Sequence, residues 1–146
     1  MESLRDEAFR LDEAVRAALR AALGERLVAA AVWGSRATGS ARADSDVNVV
    51  ALAAPLPEEA EERRALVRAA RRRFLWDAGL RLSLTLLTPE ELALRAGSSD
   101  PLVLGLAQGH RVVEGAAAPF AEALGAVAGA YRWDEELRAW TWRAPS

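Results

Sequence analysis

From its first residues the chain sets apolar side chains at helical spacing: Leu4, Ala8, Leu11, Val15, Ala18 and Ala22 recur every three or four positions, with Arg, Asp and Glu between them. This stripe predicts an amphipathic helix over residues 3–23, closed at Gly24, because a residue without a Cβ can end a helix in a left-handed conformation. The period then changes. RLVAAAVW, residues 26–33, is a short unbroken apolar run that stops at Gly34-Ser35, as expected of a strand buried on both faces. A second strand is expected from about Asp46 to Leu52, and Pro55 and Pro57 close it and open a helix that ends at Gly79. In that helix glutamates fill the first turns and arginines the later ones, the order that complements the helix dipole, while Val67, Ala70 and Phe74 supply a core stripe.

LRLSLTLLT, residues 80–88, alternates Leu80, Leu82, Leu84 and Leu86 against Arg81, Ser83 and Thr85, the period of a third strand. Thr88 is placed to cap a short helix opened by Pro89-Glu90-Glu91. Another helix is expected from about Asp100, a fourth strand in HRVVEG, and a last helix from Pro119 to Tyr131. Strands alternating with helices predict an α/β fold, a small mixed β-sheet flanked by helices. At 146 residues, with no internal repeat, low-complexity tract or linker, the chain is expected to be a single domain, 1–146, with an aromatic tail at 132–146.

Composition narrows the chemistry. All 19 basic residues are Arg, and without Lys neither a Schiff base nor a P-loop lysine is available. With no Cys there is no disulfide, thiol nucleophile or Cys zinc site. A net charge of −2 gives no overall attraction to nucleic acid. The N-terminal stretch carries acids throughout and does not have the pattern of a signal peptide. No apolar run approaches the roughly 20 residues needed to span a bilayer, so a cytoplasmic location and no membrane association are expected.

The candidate chemistry lies in VWGSRATGSARADSDVNVV, residues 32–50. Asp46 and Asn48 stand two apart at the start of a strand, a spacing that puts both side chains on one face. Hard oxygen ligands of this kind suit Mg²⁺, which commonly takes one or two carboxylates together with substrate phosphate oxygens. Gly34 lets a backbone approach an anion closely, and a helix starting at Ser35 would offer free N–H groups and a hydroxyl to a phosphate.

This joined pattern resembles the signature of the DNA polymerase beta-like nucleotidyltransferase superfamily, in particular its minimal nucleotidyltransferases. That signature reads Gly-Ser, a short spacer with Ala and Gly, then Ser-Asp-apolar-Asp-apolar. The resemblance extends over most of the chain, least over residues 132–146. It implies the nucleotidyltransferase fold, with Gly34 and Ser35 as the phosphate-binding turn, Arg36 and Ser45 as further nucleotide-binding residues, and Asp46 and Asn48 as catalytic and metal-binding positions. Two departures stand out. Asn48, the only asparagine of the chain, occupies the place of the second metal-binding Asp, and the polar face of the third strand offers Ser83 and Thr85 where larger members carry a third carboxylate.

The activity so implied is Mg²⁺-dependent transfer of a nucleoside monophosphate, by family habit AMP from ATP, to a hydroxyl acceptor that can lie on a protein. The alternative is a nucleotide-binding but catalytically weak antitoxin, partner of a small helical HEPN-type toxin; a homo-oligomer is the other assembly considered. Arg42 beside the loop is a further candidate for phosphate contact, whereas His110 and the run Arg71-Arg72-Arg73 are expected to be structural or solvated. Trp133, Trp140 and Trp142 could either seal the tail on the protein's own helices or anchor a second chain.

Overall fold

The computed structural model describes residues 3–98 and 100–142. Its main sheet has four strands, β1 (Leu27–Trp33), β2 (Val47–Ala53), β3 (Leu82–Leu87) and β4 (His110–Gly115), in the spatial order β3-β2-β1-β4. β1 pairs antiparallel with both β2 and β4, and β2 pairs parallel with β3. A parallel pair needs a long crossover, which the helix α3 (Ala60–Ala78) supplies.

Both faces of the central strands are covered, as an unbroken apolar run requires. On one side α1 (Leu4–Leu23) and α3 bury Val15, Ala18, Leu19, Ala70 and Phe74 against Ala30, Val32, Val47, Val49 and Ala51. On the other, α4 (Pro89–Ala96), α5 (Pro101–Gln108) and α6 (Ala118–Ala130) bury Leu92, Leu102, Val103, Leu106 and Phe120 against Ala29, Ala31, Val50 and Leu52. Neighbours along β1 and β2 thus alternate between two cores, and nearly every one is an Ala or Val that fits between a sheet and a helix.

Local signals fix the helix starts. Thr88 makes a reciprocal capping box with Glu91, and Asp100 accepts a hydrogen bond from the Leu102 amide. Glu91 also receives both contacts of Arg63 Nη1, at 2.8 and 3.0 Å, tying the first turn of α3 to that of α4. Partial burial pushes the Glu91 carboxyl upward, but the Thr88 amide and hydroxyl and the Arg63 guanidinium outweigh it and hold it below its ordinary value.

The expected elements are all present, with two boundary differences that matter. β2 starts at Val47 rather than Asp46, since the ladder opens with the Val47 amide donating to the Arg81 carbonyl at 2.9 Å. α3 starts at Ala60, after the prolines, with Glu59 at its N-terminal boundary. The tail holds structure that periodicity did not predict: β5 (Tyr131–Asp134) and β6 (Ala139–Trp142) form an antiparallel hairpin. Trp133 and Trp140 meet edge to face with centroids 5.5 Å apart, Arg138 lies 5.8 Å over the Trp133 ring, and Tyr131 and Trp140 pack on the α4–α6 core. These contacts are all made within the chain. The Trp142 side chain and residues 143–146 lie outside the described part. Among the described residues no helix is long and apolar enough to cross a membrane.

Candidate functional site

The chain leaves β1 at Trp33 and turns at Gly34, whose φ of 75° and ψ of −151° belong to a region that only glycine visits freely. A single helical turn follows, α2 (Ser35–Thr38), closed by Gly39 in the left-handed conformation. The Gly34 carbonyl accepts from the Ala37 and Thr38 amides, and the Ser35 carbonyl accepts from those of Gly39 and Ser40. The first N–H groups of such a turn have no partner within it, and Ser35 carries both an N–H and a hydroxyl at this position.

Asn48 reaches back to this turn. It pairs with Trp33 across the sheet, and its Nδ2 stands 2.7 Å from the place where a Cβ on residue 34 would be. Gly34 is thus required twice, by its backbone angles and by the amide lying against it. On the other side of β2, Asn48 is in register with Ser83 of β3, so Ser83 occupies the place next to it where a further carboxylate could have stood. The strand carries no acid: among the described residues no group of three or more His, Cys, Asp or Glu could hold a metal ion.

Asp46 lies one residue ahead of the β2 ladder and is exposed. The β2 ladder begins at Val47, one residue after Asp46. Asp46 lines a small open cavity of about 160 Å³ on the β3 side, with Val67 and Arg71 of α3, with Arg81, and with Ser83. A larger cavity, of about 950 Å³, opens on the other side of the loop between α1, α2 and the end of α3. Ser35, Arg36, Arg42 and Arg111 line it, but Asp46 and Asn48 do not. The larger cavity thus has Ser35 of the Gly-Ser turn in its wall and the smaller has the Asp46 carboxylate.

The loop between α2 and β2 draws Arg36 and Ser45 into its own hydrogen bonds. Arg36 donates through Nη2 to the carbonyls of Ala43 and Ser45, at 3.2 and 2.9 Å, and its Nε is buried without a partner. Ser45 Oγ accepts from the Arg42 amide at 2.8 Å. Arg36 and Ser45 therefore hold the loop in shape.

Two residues that sequence reasoning missed support this side. Arg111 of β4 makes a two-point ion pair with Asp12 of α1, at 2.8 and 2.9 Å, and donates from Nη1 to the Arg36 carbonyl at 3.3 Å. This network pins α2 to α1 and β4. The alternation of β4 could have shown that Arg111 points away from the neighbouring Val112, but Asp12 lies 99 positions away in the chain and no local pattern joins them. His110 is structural, as expected: its Nδ1 must donate to the Leu106 carbonyl, 3.0 Å away, and its ring meets Phe120. In the arginine run, Arg73 pairs with Asp77 at 2.7 Å, whereas Arg71 faces the Asp46 cavity.

An antiparallel-rich four-stranded sheet with a Gly-Ser turn after β1 and the acidic motif at the head of β2 is the nucleotidyltransferase fold in its minimal form. Solved structures agree. The chain superposes on a toxin–antitoxin complex crystallised with AMP-PNP at a TM-score of 0.54, with 14% identity, over 81% of this chain and 85% of that one. It superposes on the complex of an MNT antitoxin with the tri-AMPylated HEPN toxin of Shewanella oneidensis at a TM-score of 0.50, with 15% identity, over 84% and 85%. At the level of sequence it is 30% identical over 90 residues to a Methanocaldococcus jannaschii protein named for a proposed protein adenylyltransferase activity. That match covers 62% of this chain and 60% of that protein, so the chain spans less than two thirds of its relative's length. No family profile matches the chain.

Proposed function

We propose that the chain is a minimal nucleotidyltransferase that moves AMP from ATP to a hydroxyl acceptor in the cytoplasm. The observation that carries this reading is the contact of Asn48 with Gly34. It joins the phosphate-binding turn of the signature to the position of its second acid, although the two are separated in sequence by an irregular loop. The relative's name and the AMP-PNP and AMPylated neighbours favour adenosine over the other bases.

In this reading Gly34, Ser35 and the amides of their turn hold the triphosphate and meet the charge that gathers on the leaving pyrophosphate. Asp46 faces the acceptor, orients its hydroxyl and takes its proton as the oxygen attacks the α-phosphorus. Asp46 and the Asn48 carbonyl oxygen, available after an amide flip, would hold Mg²⁺ brought in with the phosphates, and the ion would supply charge neutralisation on them. One carboxylate and one amide fit a single ion whose remaining ligands are phosphate and water; they do not make a two-metal site. Arg36 and Ser45 act on the nucleotide through the loop they hold.

The amide at Asn48 and the hydroxyl at Ser83 also favour a second reading, that of a nucleotide-binding antitoxin with little catalysis of its own, paired with a helical HEPN-type protein. One experiment separates the two. The purified chain is incubated with each labelled NTP, Mg²⁺ and cell lysate, in parallel with Asn48→Asp. The first reading expects transfer from ATP by the unaltered chain. It also expects Asn48→Asp to raise transfer roughly 10²-fold if the restored charge is worth about 2.7 kcal/mol. Equal rates would mean that the amide is no defect. No labelling by either form, with calorimetric ATP binding intact, would favour the second reading, and absence of binding to any NTP would sink both.

A further inference from the structure

The outer face of α3 carries groups for which the fold itself has no use. Trp76 is 88% exposed and Leu75 52%, and an indole is among the side chains that most often anchor a protein interface. Glu62, Ala65, Ala69, Arg72 and Trp76 follow one another at intervals of three and four residues and are all exposed. That spacing is the seam along which one helix packs on another. It lies opposite Val67, Ala70 and Phe74, which hold α3 on the core. Charges on its flanks are satisfied within the helix, Arg64 and Arg68 by Glu61, and Arg73 by Asp77. Glu62 and Arg72, in the seam itself, form no ion pair or hydrogen bond through their side chains among the described residues.

We propose that this face of α3 binds the same face of a second copy of the chain, with the two helices antiparallel about a two-fold axis. The charges decide both the occupant and its direction. The pairs Glu62–Arg72 and Ala65–Ala69 are both centred on residue 67. One axis at that level therefore sets Glu62 of each copy against Arg72 of the other, and Ala65 against Ala69. Helices running in the same direction would instead meet acid to acid and arginine to arginine. A nucleic acid backbone would match Arg72 but be repelled by Glu58, Glu59 and Glu62, whereas a second copy answers both ends of the seam.

The alanines at the middle let the helix axes approach to the short end of the usual range, roughly 8 Å. By the same centre Trp76 reaches the entry of the other copy's α3, at Pro57-Glu58, and leaves water there. A contact in which each copy offers the same patch closes on itself as a dimer. α3 has 19 residues and is about 28 Å long, so the contact belongs to the weak class below about 1,200 Å², and a micromolar dissociation constant is expected. The proposal concerns assembly and is independent of the transfer reading.

Sedimentation of the full chain between about 5 μM and about 1 mM should show a monomer–dimer equilibrium. Trp76→Ala, Glu62→Arg and Arg72→Glu should each weaken it at least about tenfold, about 1.4 kcal/mol. The decisive measurement is a mixture. Glu62→Arg puts positive charge at both ends of the seam and Arg72→Glu puts negative charge at both, so each repels itself and matches the other. An equimolar mixture of the two should dimerise at least as well as the unaltered chain, and the double reversal Glu62→Arg/Arg72→Glu should recover dimerisation by itself. All three positions are exposed, so the variants should fold; circular dichroism checks this. No association of the unaltered chain up to about 1 mM would overturn the proposal. So would a dimer indifferent to Trp76→Ala and to both reversals, or reversals that abolish the dimer and are not rescued on mixing. Rescue in the mixture cannot come from a fold defect and would establish the antiparallel contact.

Discussion

The two sides of the head of β2 are built differently. Towards β1 the Gly-Ser turn is over-determined: Asn48 lies against Gly34, Arg36 clamps the loop, Ser45 closes its last turn, and Arg111 ties α2 to α1 through Asp12. Towards β3 the groups are open, with Asp46 exposed and Arg71 and Arg81 uncommitted beside Ser83. Polar side chains that hold a loop spend most of their hydrogen bonds within the protein, whereas exposed ones keep theirs for water or a ligand. The contrast teaches that one side is braced by the fold and the other is left open to solvent.

The sharpest way to break the contrast is Gly34→Ala. The new Cβ would stand 2.7 Å from Asn48 Nδ2, on a backbone with φ of 75° and ψ of −151°. A conformation so restricted to glycine costs on the order of 1–3 kcal/mol in any other residue, before the clash is counted. Transfer from ATP and ATP binding should both fall by about 10²-fold or more. Adding Asn48→Ala removes the clash and not the backbone cost, so the double variant should recover part of the loss. Full recovery would show that the backbone angles are unimportant, and no loss in the single variant would show that the turn is not the phosphate site.

How far these two sides can be read in the sequence follows from the range of the interactions that build them. Gly34-Ser35 and Asp46-x-Asn48 stand within fifteen residues of one another and carry the signature whole. The apolar runs around them set the sheet, because strands buried on both faces have no other composition available. The boundary at Val47 escaped, since it depends on where the Arg81 carbonyl falls. Arg36 was legible as a cation near phosphate but not as a clamp on its own loop, which requires the path of residues 43–45. The Asp12–Arg111 pair and the Arg71–Arg81–Asp46 cluster join distant parts of the chain and have no periodic trace. In the tail, Trp133 and Trp140 suggested either a seal on the protein's own helices or an anchor, and their spacing of seven hides a hairpin whose turn contains Arg138 at a φ of 53°.

A milder break is Arg111→Ala, which removes the tie between α2, α1 and β4 without touching the turn itself. The Asp12 carboxylate is only 14% exposed and would lose both its contacts. Removing a hydrogen-bonded charged partner of this kind costs about 1.5–3 kcal/mol, which in a domain near this size lowers the melting temperature by roughly 3–10 °C. ATP affinity should fall about tenfold as α2 loosens, and Arg111→Lys should lie between the two because it keeps the charge but not the planar fork. If melting temperature falls with no change in ATP affinity, Arg111 supports the fold and not the site.

The smallest effect concerns the scaffold of the open side. α3 carries Arg71, and its first turn is held to α4 by Arg63 and Glu91. The hydrogen bonds from Thr88 and Arg63, which outweigh the opposing effect of burial, hold the Glu91 carboxyl below its ordinary value of 4.5. The sign follows from linkage: a carboxyl whose pKa is depressed in the folded state binds its proton more readily when unfolded. Its contribution is therefore fully present above pH 4.5, and is lost as the pH falls through the lower value of the folded state. Because Glu91 is 38% exposed, solvent screens the pair and the loss should be small. Urea denaturation of the chain between pH 6 and pH 3 should show this as part of the decline in stability. Glu91→Gln should begin less stable at pH 6 and decline less steeply below pH 4.5. If the two forms decline in parallel, the Arg63–Glu91 clasp contributes nothing that depends on charge, and α3 is held in place by its apolar packing on the core through Val67, Ala70 and Phe74.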